Sequence, residues 1–254
     1  MTDSFRALLV DEVDGVATAD IRDMNSTDLP DVGDVVVSVA YSTLNYKDGL
    51  AVTGKAKVLR SYPMVPGIDL SGTVVDSSSP DFKEGDQVIL TGYETGERYW
   101  GGYTQRNRVR SETLVRLPEG MSLKEAMIVG TAGLTAMLTV MALERRGMKP
   151  ADGGEVIVTG ASGGVGSMAV AILSQLGYDD VASTGKPEAH QYLRLLGARE
   201  FVDRETLAAT TKRPLEAGRW AGAVDAVGGD TLAGLQRTIS PHSSKALSRN
   251  AGRV

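Results

Sequence analysis

One stretch of the chain, VIVTGASGGVGSMAVAILSQLGY at residues 156–178, constrains the fold more than any other. It begins as a short apolar run typical of a strand, passes through a glycine-rich turn, and continues as an apolar run at helical spacing. Gly160, Gly163 and Gly166 are spaced G-x-x-G-x-x-G, and Gly164 adds further backbone freedom. Such a turn lets a ligand approach the backbone, and the helix N-terminus behind it offers unpaired N–H groups. The stretch therefore predicts either a pyrophosphate site or a tight strand–helix turn without a ligand.

The sequence around this turn alternates between strand-like and helix-like segments. The predicted strands are EVIVT, DVAST, EFVD and AGAVDAV, with a further one at KALS, and the predicted helices cover 167–176, 187–196 and 230–238. Alternation of this kind is typical of βαβ units and of the doubly wound parallel sheet of the Rossmann fold. At the head of such a series, the glycine pattern favours a dinucleotide over an empty turn.

The N-terminal half has a different texture, with short apolar or alternating runs separated by turn-forming residues. The runs are 5–10, 34–44, 70–76, 86–92 and 112–118. Strands at this spacing, without long helices between them, predict a compact barrel-like β domain. The fold class is therefore α/β, with a β domain over 1–120 and a Rossmann domain over 121–254.

A helical segment over 122–147 is expected to open the second domain. Ser122 is a candidate N-cap, and Glu125 three residues later completes a capping box. The apolar residues recur at helical spacing, but Gly130 and Gly133 are expected to divide the segment into two helices.

Composition and charge exclude several classes of chemistry. The chain has no cysteine, which excludes disulfides, thiolate nucleophiles and Cys-ligated metals. His190 and His242 are its only histidines, neither has a second ligand at metal-binding spacing, and no metal site is predicted. A net charge of 27 − 32 = −5 without a long basic run gives no support for nucleic-acid or anionic-membrane binding. The apolar stretches look too short or too interrupted to span a bilayer and no signal-peptide pattern is visible, so we expect a cytoplasmic protein.

The end of the second predicted strand indicates which dinucleotide is bound. NAD-binding proteins usually place Asp or Glu there to hold the ribose 2′-OH. This chain instead reads VASTGKPE, with hydroxyls and Lys186 where the acid would stand. A cation beside hydroxyl donors suits a 2′-phosphate, which favours NADP(H). The alternative is that Lys186 is a solvated residue before a helix.

Five longer segments carry a resemblance to a known family. They are STLNYKDGLAVTGK (42–55), SYPMVPGIDLSGTVVDS (61–77), LTGYETGERYWGGYTQ (90–105), GTAGLTAML (130–138) and VTGASGGVG (158–166). Through them the chain resembles the acryloyl-CoA reductases (YhdH-like quinone oxidoreductases) of the zinc-independent medium-chain dehydrogenases/reductases. The resemblance implies a GroES-like β-barrel domain, a Rossmann domain, NADPH, and reduction of a C=C bond beside a thioester carbonyl.

The resemblance also implies roles for particular residues. Thr184, Gly185 and Lys186 would bind the 2′-phosphate, and Arg204 would lie near the adenosine. Tyr46 would sit beside the cofactor, and Thr131 would line its nicotinamide end. The remaining candidate cofactor contacts lie in the glycine turn: Ser162, Gly163, Gly164, Val165 and Gly166.

Three residues that follow one strand are candidates for the chemistry. Asn45, Tyr46 and Asp48 could position a substrate and protonate the α-carbon of the enolate left by hydride addition. The alternative is that Asn45 and Asp48 only cap the next helix. Asp69 could likewise only form an Asx-turn. The substrate would be a small enoyl-CoA, or alternatively a quinone or enone. A different alternative is that the chain is a non-catalytic NADPH-binding remnant. The chain could also form a homodimer.

The C-terminal segment ISPHSSKALSRNAGRV departs from the family pattern. A complete doubly wound fold has six strands, and the sequence shows four with a fifth at KALS. Arg249 and Arg253 stand where the turn after the fifth strand would prefer glycine. We therefore expect a Rossmann sheet that is incomplete at the C-terminus, as in a truncated chain.

Overall fold

The structure, a computed structural model, describes residues 4–208, 218–239 and 247–249. Its residues form two compact units, the first reaching Thr131 and the second starting at Ala132. The division falls later than the predicted boundary near residue 120, because the first turns of the intervening helix pack on the first unit. There Ser71 Oγ donates to Leu123 O at 2.8 Å, and Thr131 N donates to Asp69 Oδ2 at 3.0 Å.

Antiparallel strands make up the first unit. They are β1 (Ser4–Val13), β2 (Val16–Asn25), β3 (Val35–Ser42), β4 (Asp69–Ser77), β5 (Gln87–Thr91), β6 (Arg106–Val109) and β7 (Val115–Arg116). β1 and β2 form a hairpin, and the others form a five-stranded sheet in the order β6-β3-β4-β5-β7. Alternate residues of this sheet, including Val35, Val37, Leu70 and Val88, are buried together in one apolar cluster, as expected for a sheet with one face on a core.

Two of these strands, β2 and β6, escaped the sequence-based prediction. Half of the residues of β2, VATADIRDMN, are polar, because the strand is largely exposed and is held by ten residue pairs with β1. β6, RNRV, is short and polar, and its register opposite Val35–Ser38 of β3 comes from long-range pairing. Neither strand carries the apolar alternation from which a buried strand can be recognised.

The helix between the units, α2 (Leu123–Arg145), is interrupted once. Ser122 and Glu125 form the predicted capping box, with Ser122 N donating to Glu125 Oε2 at 2.8 Å. Gly130 has φ 48° and ψ −162°, which breaks the helix there, whereas Gly133 lies within the second helical part. The prediction that both glycines divide the segment is therefore wrong for Gly133.

By length and composition α2 could cross a membrane, with a mean hydropathy of 1.9 over its most apolar window. The sequence predicted that the apolar stretches are too short or too interrupted to span a bilayer, and α2 is of the interrupted kind. The break at Gly130 leaves two helical pieces, each shorter than the roughly 20 residues that a membrane span requires. Ala136, Val140 and Leu143 of the second piece are fully buried in the core of the second unit.

The second unit is a parallel sheet with helices on both faces. Its strands are β8 (Glu155–Thr159), β9 (Asp179–Ser183), β10 (Glu200–Val202), β11 (Trp220–Asp225) and β12 (Leu247–Arg249). The helices are α3 (Gly164–Gln175), α4 (His190–Leu196), α5 (Arg204–Ala208) and α6 (Gly229–Thr238); α1 (Tyr46–Thr53) belongs to the first unit. The strand order β10-β9-β8-β11-β12 is the Rossmann order 3-2-1-4-5.

Five parallel strands thus occur among the described residues, as the sequence predicted. The turn expected at Arg249 is wrong, since its backbone pairs with Asp225 as the last residue of β12. His242 and Arg253 lie outside the described residues. Within β8, Val156 and Val158 face the cluster that contains α3, while Ile157 faces the cluster on the opposite side of the sheet. This double burial explains why the parallel strands have near-continuous apolar sequences.

Asp180 is a buried carboxylate in this largely apolar sheet. The residue is fully buried in β9, and neither carboxylate oxygen has a hydrogen-bond partner among the described residues. Burial raises the pKa of Asp180 to about 6, an effect that nearby Arg199 opposes and Asp179 reinforces.

Asp180 is expected to make folding stability depend on pH. The folded state retains the Asp180 proton up to about pH 6, whereas the unfolded chain loses it near the ordinary value of 3.8. The folded state binds more protons in this window, so the free energy of unfolding falls as pH rises through it. Urea denaturation across the window should therefore show a smaller fall in Asp180→Asn than in the wild type. The exposed carboxylate change Glu188→Gln should keep the wild-type fall; an unchanged fall in Asp180→Asn would contradict the assignment.

Candidate functional site

The glycine turn brings the end of β8 and the start of α3 into close contact. Gly160 has φ 59°, and Gly163 N donates to Gly160 O at 2.9 Å. A Cβ at Gly166 would lie 2.3 Å from Gly160 O, so only glycine permits this approach. The helix begins at Gly164, five residues after Thr159, the last residue of β8. Its first N–H groups, which include those of Gly164 and Val165, have no partner within the helix and suit an anion.

A second wall of the same site follows β9. Ser162 Oγ lies 3.1 Å from Thr184 Oγ1, and Thr184 Oγ1 accepts a hydrogen bond from Lys186 N at 3.1 Å. Arg204 packs over Gly185, where a Cβ would lie 2.7 Å from Arg204 Nε. Residues Thr184–Lys186, which are neighbours in the sequence, thus lie beside Arg204, a cation that follows the next strand, β10.

These residues enclose a cavity of about 140 Å³. Its lining consists of Thr159, Gly160, Ser162, Ser183, Thr184, Gly185, Lys186, Arg204, Val227 and Thr231. The lining has two cations and no carboxylate, and neither Lys186 nor Arg204 forms an ion pair with any residue that the structure describes. We call this the Lys186 cavity; its hydroxyls and cations have the chemistry of a phosphate site.

The sequence did not identify Thr159, Val227 and Thr231 as lining residues. Thr159 Oγ1 donates to Asp225 Oδ1, whose other oxygen accepts from Gly228 N at 3.0 Å. These bonds hold the end of β11 beside the end of β8. Their positions at or shortly after the carboxyl ends of the parallel strands β8 and β11 are the signal that could have revealed them.

In the first unit, the candidates Asn45 and Asp48 meet as a helix cap. Asp48 Oδ2 accepts from Asn45 N at 2.8 Å and from Asn45 Nδ2 at 3.1 Å, while its Oδ1 accepts from Ile68 N at 3.0 Å. Asp48 is almost fully buried, and this burial raises its pKa, against the lowering effect of the bonds from Asn45 and Ile68. The capping alternative is therefore present in the structure, and it fixes the orientation of the Asn45 amide.

Asp69 organises the surroundings of Asn45. Its Oδ2 accepts from Thr43 Oγ1 at 2.6 Å, Asn45 Nδ2 at 3.2 Å and Thr131 N at 3.0 Å, and its Oδ1 accepts from Thr131 Oγ1. We call Thr43, Asn45, Asp69 and Thr131 the Asp69 cluster. The carboxylate connects three chain segments rather than forming only the local Asx-turn that its sequence neighbours suggested.

Tyr46 differs from its two neighbours in its exposure. Its side chain is 85% exposed and has no hydrogen-bond partner among the described residues. It lines an open cavity of about 560 Å³ together with Leu44, Asn45, Gly49, Leu50, Thr53 and Lys55. Of the three candidates after β3, only Tyr46 has a polar group that is free to meet a ligand.

A second tyrosine, Tyr103, lies against this loop but is half-buried. Its hydroxyl donates to Thr43 O at 3.0 Å. Burial, with the charges of Asp48 and Asp69 nearby, raises the pKa of Tyr103 above its ordinary value. Tyr103 therefore stays a neutral donor that supports the loop.

Among the described residues, no group of three or more His, Asp or Glu side chains is arranged to hold a metal ion. His190 stacks on Phe201 with 4.1 Å between the ring centroids, in keeping with a structural role in the second unit.

Comparison with known proteins places these features in context. Residues 31–119 match the alcohol dehydrogenase GroES-like domain. The acrylyl-CoA reductase AcuI of Ruegeria pomeroyi is 54% identical over 231 residues, which cover 90% of this chain and 69% of the relative. The putative quinone oxidoreductase YhfP of Bacillus subtilis is 46% identical over 252 residues, 99% of this chain and 76% of the relative.

Solved structures agree with the sequence matches. The yhdH oxidoreductase from Salmonella enterica in complex with NADP has a TM-score of 0.88 and 50% identity, over 92% of this chain and 71% of that one. The structure of Bacillus subtilis yhfP with NAD bound has a TM-score of 0.89 and 46% identity, over 93% and 71%.

The Asn45–Asp48 cap is expected to contribute far more to the free energy of unfolding than an exposed cap of the same sequence type. Asp48→Ala leaves the main-chain N–H groups of Asn45 and Ile68 without their acceptor, which should lower the free energy of unfolding by about 1–3 kcal/mol. Asn25 and Asp28 form a matched control, because Asp28 Oδ2 accepts from Asn25 N at 2.7 Å in an exposed turn. Asp28→Ala should stay within about 0.5 kcal/mol of the wild type in urea denaturation. Equal losses of unfolding free energy in the two variants would show that the contribution of Asp48 to stability does not depend on its burial.

Proposed function

Because the chain belongs to the family of the acrylyl-CoA and YhdH-type reductases, within the medium-chain dehydrogenases/reductases, we propose that it is an NADPH-dependent enoyl-thioester reductase. The reaction is reduction of the activated C=C bond of an acrylyl-CoA-type substrate to the propionyl-CoA type. The observation that carries the proposal is the Lys186 cavity, in which two cations lie beside a glycine turn and the start of a helix.

The residues of the Lys186 cavity fit an NADP phosphate group. The close packing at Gly166 leaves the first N–H groups of α3 facing the turn, which suits a pyrophosphate. Lys186 and Arg204, with the hydroxyls of Ser162 and Thr184, suit the 2′-phosphate, and no acid lines the cavity to repel it. We assign Gly163, Gly164, Val165 and Gly185 to the same anchor through their backbones.

NADPH, when bound, supplies the hydride that reduces the β-carbon of the substrate. The protein must then stabilise negative charge on the thioester oxygen and deliver a proton to the α-carbon. We assign the ligand-facing role to the exposed Tyr46 hydroxyl, and positioning roles to the partly exposed Asn45 and the buried Asp48. Thr131 is assigned to the nicotinamide end.

We propose that this chemistry needs no metal. Hydrogen-bond donors can stabilise an enolate without a Lewis acid. The absence of cysteine from the chain removes the thiolate ligands of typical zinc sites.

A quinone or enone reductase is the second candidate, favoured by the similarity to YhfP, which is named a putative quinone oxidoreductase. The two candidates differ in the acceptor, so kcat/KM for acrylyl-CoA and for a simple benzoquinone should be compared on one preparation. We expect the thioester to be preferred. A preference for the quinone would replace the leading proposal by the second.

The remaining assignments concern the setting of the enzyme. We propose a cytoplasmic location, because NADPH is regenerated inside cells and the relatives named above are bacterial. We also propose small molecules rather than nucleic acids or membranes as partners, in keeping with the net charge of −5. The homodimer implied by the family stays a prediction for size-exclusion chromatography.

The cofactor assignment predicts a selective effect of charge reversal. Lys186→Glu should weaken NADPH binding by roughly tenfold or more, because a charged hydrogen bond to phosphate is worth about 1.5–3 kcal/mol. NADH lacks the 2′-phosphate, so its affinity should change little. Fluorescence titration of both nucleotides measures the two effects.

An exposed lysine of the same unit provides the control. Lys149 lies outside the Lys186 cavity, and Lys149→Glu makes the same charge change there. Both affinities should stay near their wild-type values in this variant. Equal losses of NADPH and NADH in Lys186→Glu would remove Lys186 from the 2′-phosphate site.

A further inference from the structure

The hairpin of β1 and β2 leaves the outer edge of β2 without a partner strand. A two-residue turn, Asp14 and Gly15 with φ values of 52° and 77°, closes the hairpin. Because Val13 pairs with Val16 directly at this turn, the even-numbered residues of β2 bond to β1 and the odd-numbered residues direct their main-chain groups outward. From residue 17 to residue 23, these outward N–H and C=O groups have no hydrogen-bond partner among the residues that the structure describes. Such an edge can bind a further strand.

The edge of β2 lacks the features that usually keep strand edges from pairing. Natural proteins protect such edges by making them short, or with proline, lysine or a β-bulge. β2 is ten residues long, contains neither proline nor lysine, and keeps an unbroken register with β1. The edge strands of the two five-stranded sheets, β6, β7, β10 and β12, are described over only two to four residues each. β2 is therefore the strand best suited to pair with another chain.

The sequence of β2 is complementary to a second copy of itself. Two antiparallel β2 strands related by a two-fold axis at Ile21 would place the two isoleucines opposite each other as a hydrogen-bonded pair. Asp20 of each copy would then lie opposite Arg22 of the other, and opposite charges across a strand pair are stabilising. Asp23 would lie opposite Ala19, so no like charges would face each other directly. No other two-fold register brings Asp20 and Arg22 together.

Exposed side chains on both faces of β2 favour this register. On one face, Asp20 is exposed and forms no ion pair with any described residue, while Arg22 donates to Asp11 of β1 and keeps a side-chain exposure of 43%. A guanidinium has five donors, so Arg22 can bond to Asp11 and to a second carboxylate together. On the other face, Ile21 is 69% exposed and borders an open cavity of about 240 Å³. The register would bring two such isoleucines side by side at the axis.

We propose that two copies of this chain associate edge to edge through β2, as a four-stranded antiparallel ribbon β1-β2-β2-β1 centred on Ile21. The partner is a second copy because the charged pair and the exposed isoleucine each find their complement in the same strand of that copy. A single strand edge is smaller than a standard interface of about 1,600 Å², so we expect a weak, concentration-dependent dimer. The contact lies within the first unit and does not depend on the proposed function.

The test is sedimentation equilibrium of the full chain over a wide range of concentrations. The variants are Asp20→Arg, Arg22→Asp and the double exchange Asp20→Arg/Arg22→Asp, each checked for folding by thermal denaturation. Asp31→Arg is the matched control, because Asp31 is an exposed carboxylate of the same unit that lies outside β2 and forms no ion pair with any described residue.

The wild type and Asp31→Arg should show the same monomer–dimer equilibrium. Asp20→Arg and Arg22→Asp should each raise the Kd of the dimer by roughly tenfold or more, because two symmetry-related pairs of opposite charge become pairs of like charge. The double exchange should restore dimerisation, since the introduced arginine then faces the introduced aspartate of the second copy.

A mixture of the two single variants tests the register directly. When Asp20→Arg meets Arg22→Asp, the introduced arginine faces the introduced aspartate, and the native Arg22 of one chain faces the native Asp20 of the other. Two variants that are each monomeric should therefore form a heterodimer on mixing. A wild type that stays monomeric at every concentration would overturn the proposal. Dimerisation that survives in Asp20→Arg, or folded single variants that stay monomeric on mixing, would also overturn it.

Discussion

The proposed nucleotide site depends on the close approach of α3 to the end of β8. Gly166 lies so near the carbonyl of Gly160 that any side chain there would overlap it. The contact aims the unpaired N–H groups of the helix at the edge of the sheet where the parallel strands end. Since loops that follow neighbouring strands meet at that edge, Thr184, Lys186 and Arg204 come together beside the helix. A single packing contact between glycines therefore sets the position of the proposed anion site, which draws on three connections of the sheet.

The first unit relies on a different interaction, a buried negative charge that is stabilised by neutral donors. Asp69 brings the loop after β3 and the break in α2 to one point. Asn45 donates to both Asp48 and Asp69, so one amide couples two buried carboxylates. Removing one member of such a network leaves the others desolvated and unpaired. The same arrangement leaves Tyr46 outside the network and exposed.

Local features of the sequence predicted much of this structure. The glycine turn, Lys186 and the cap formed by Asn45 and Asp48 each depend on residues a few positions apart, and periodicity revealed the strands that are buried on both faces. The Asp69 cluster could not be predicted in this way, because Asp69 bonds to partners 26 and 62 residues away. The exposed strand β2 was missed for a related reason, since it is stabilised by pairing with β1 and not by burial of its own side chains. Resemblance to a family supplied the proposed role of Arg204, which no local pattern indicates.

We propose that the chain transfers a hydride from NADPH to the β-carbon of an enoyl thioester. The most direct measurement is mass spectrometry of the product formed from acrylyl-CoA and from NADPH in which deuterium replaces both hydrogen atoms on C4 of the nicotinamide ring. We expect propionyl-CoA with one deuterium, located on the β-carbon. Product without deuterium, or with the deuterium on the α-carbon, would contradict it.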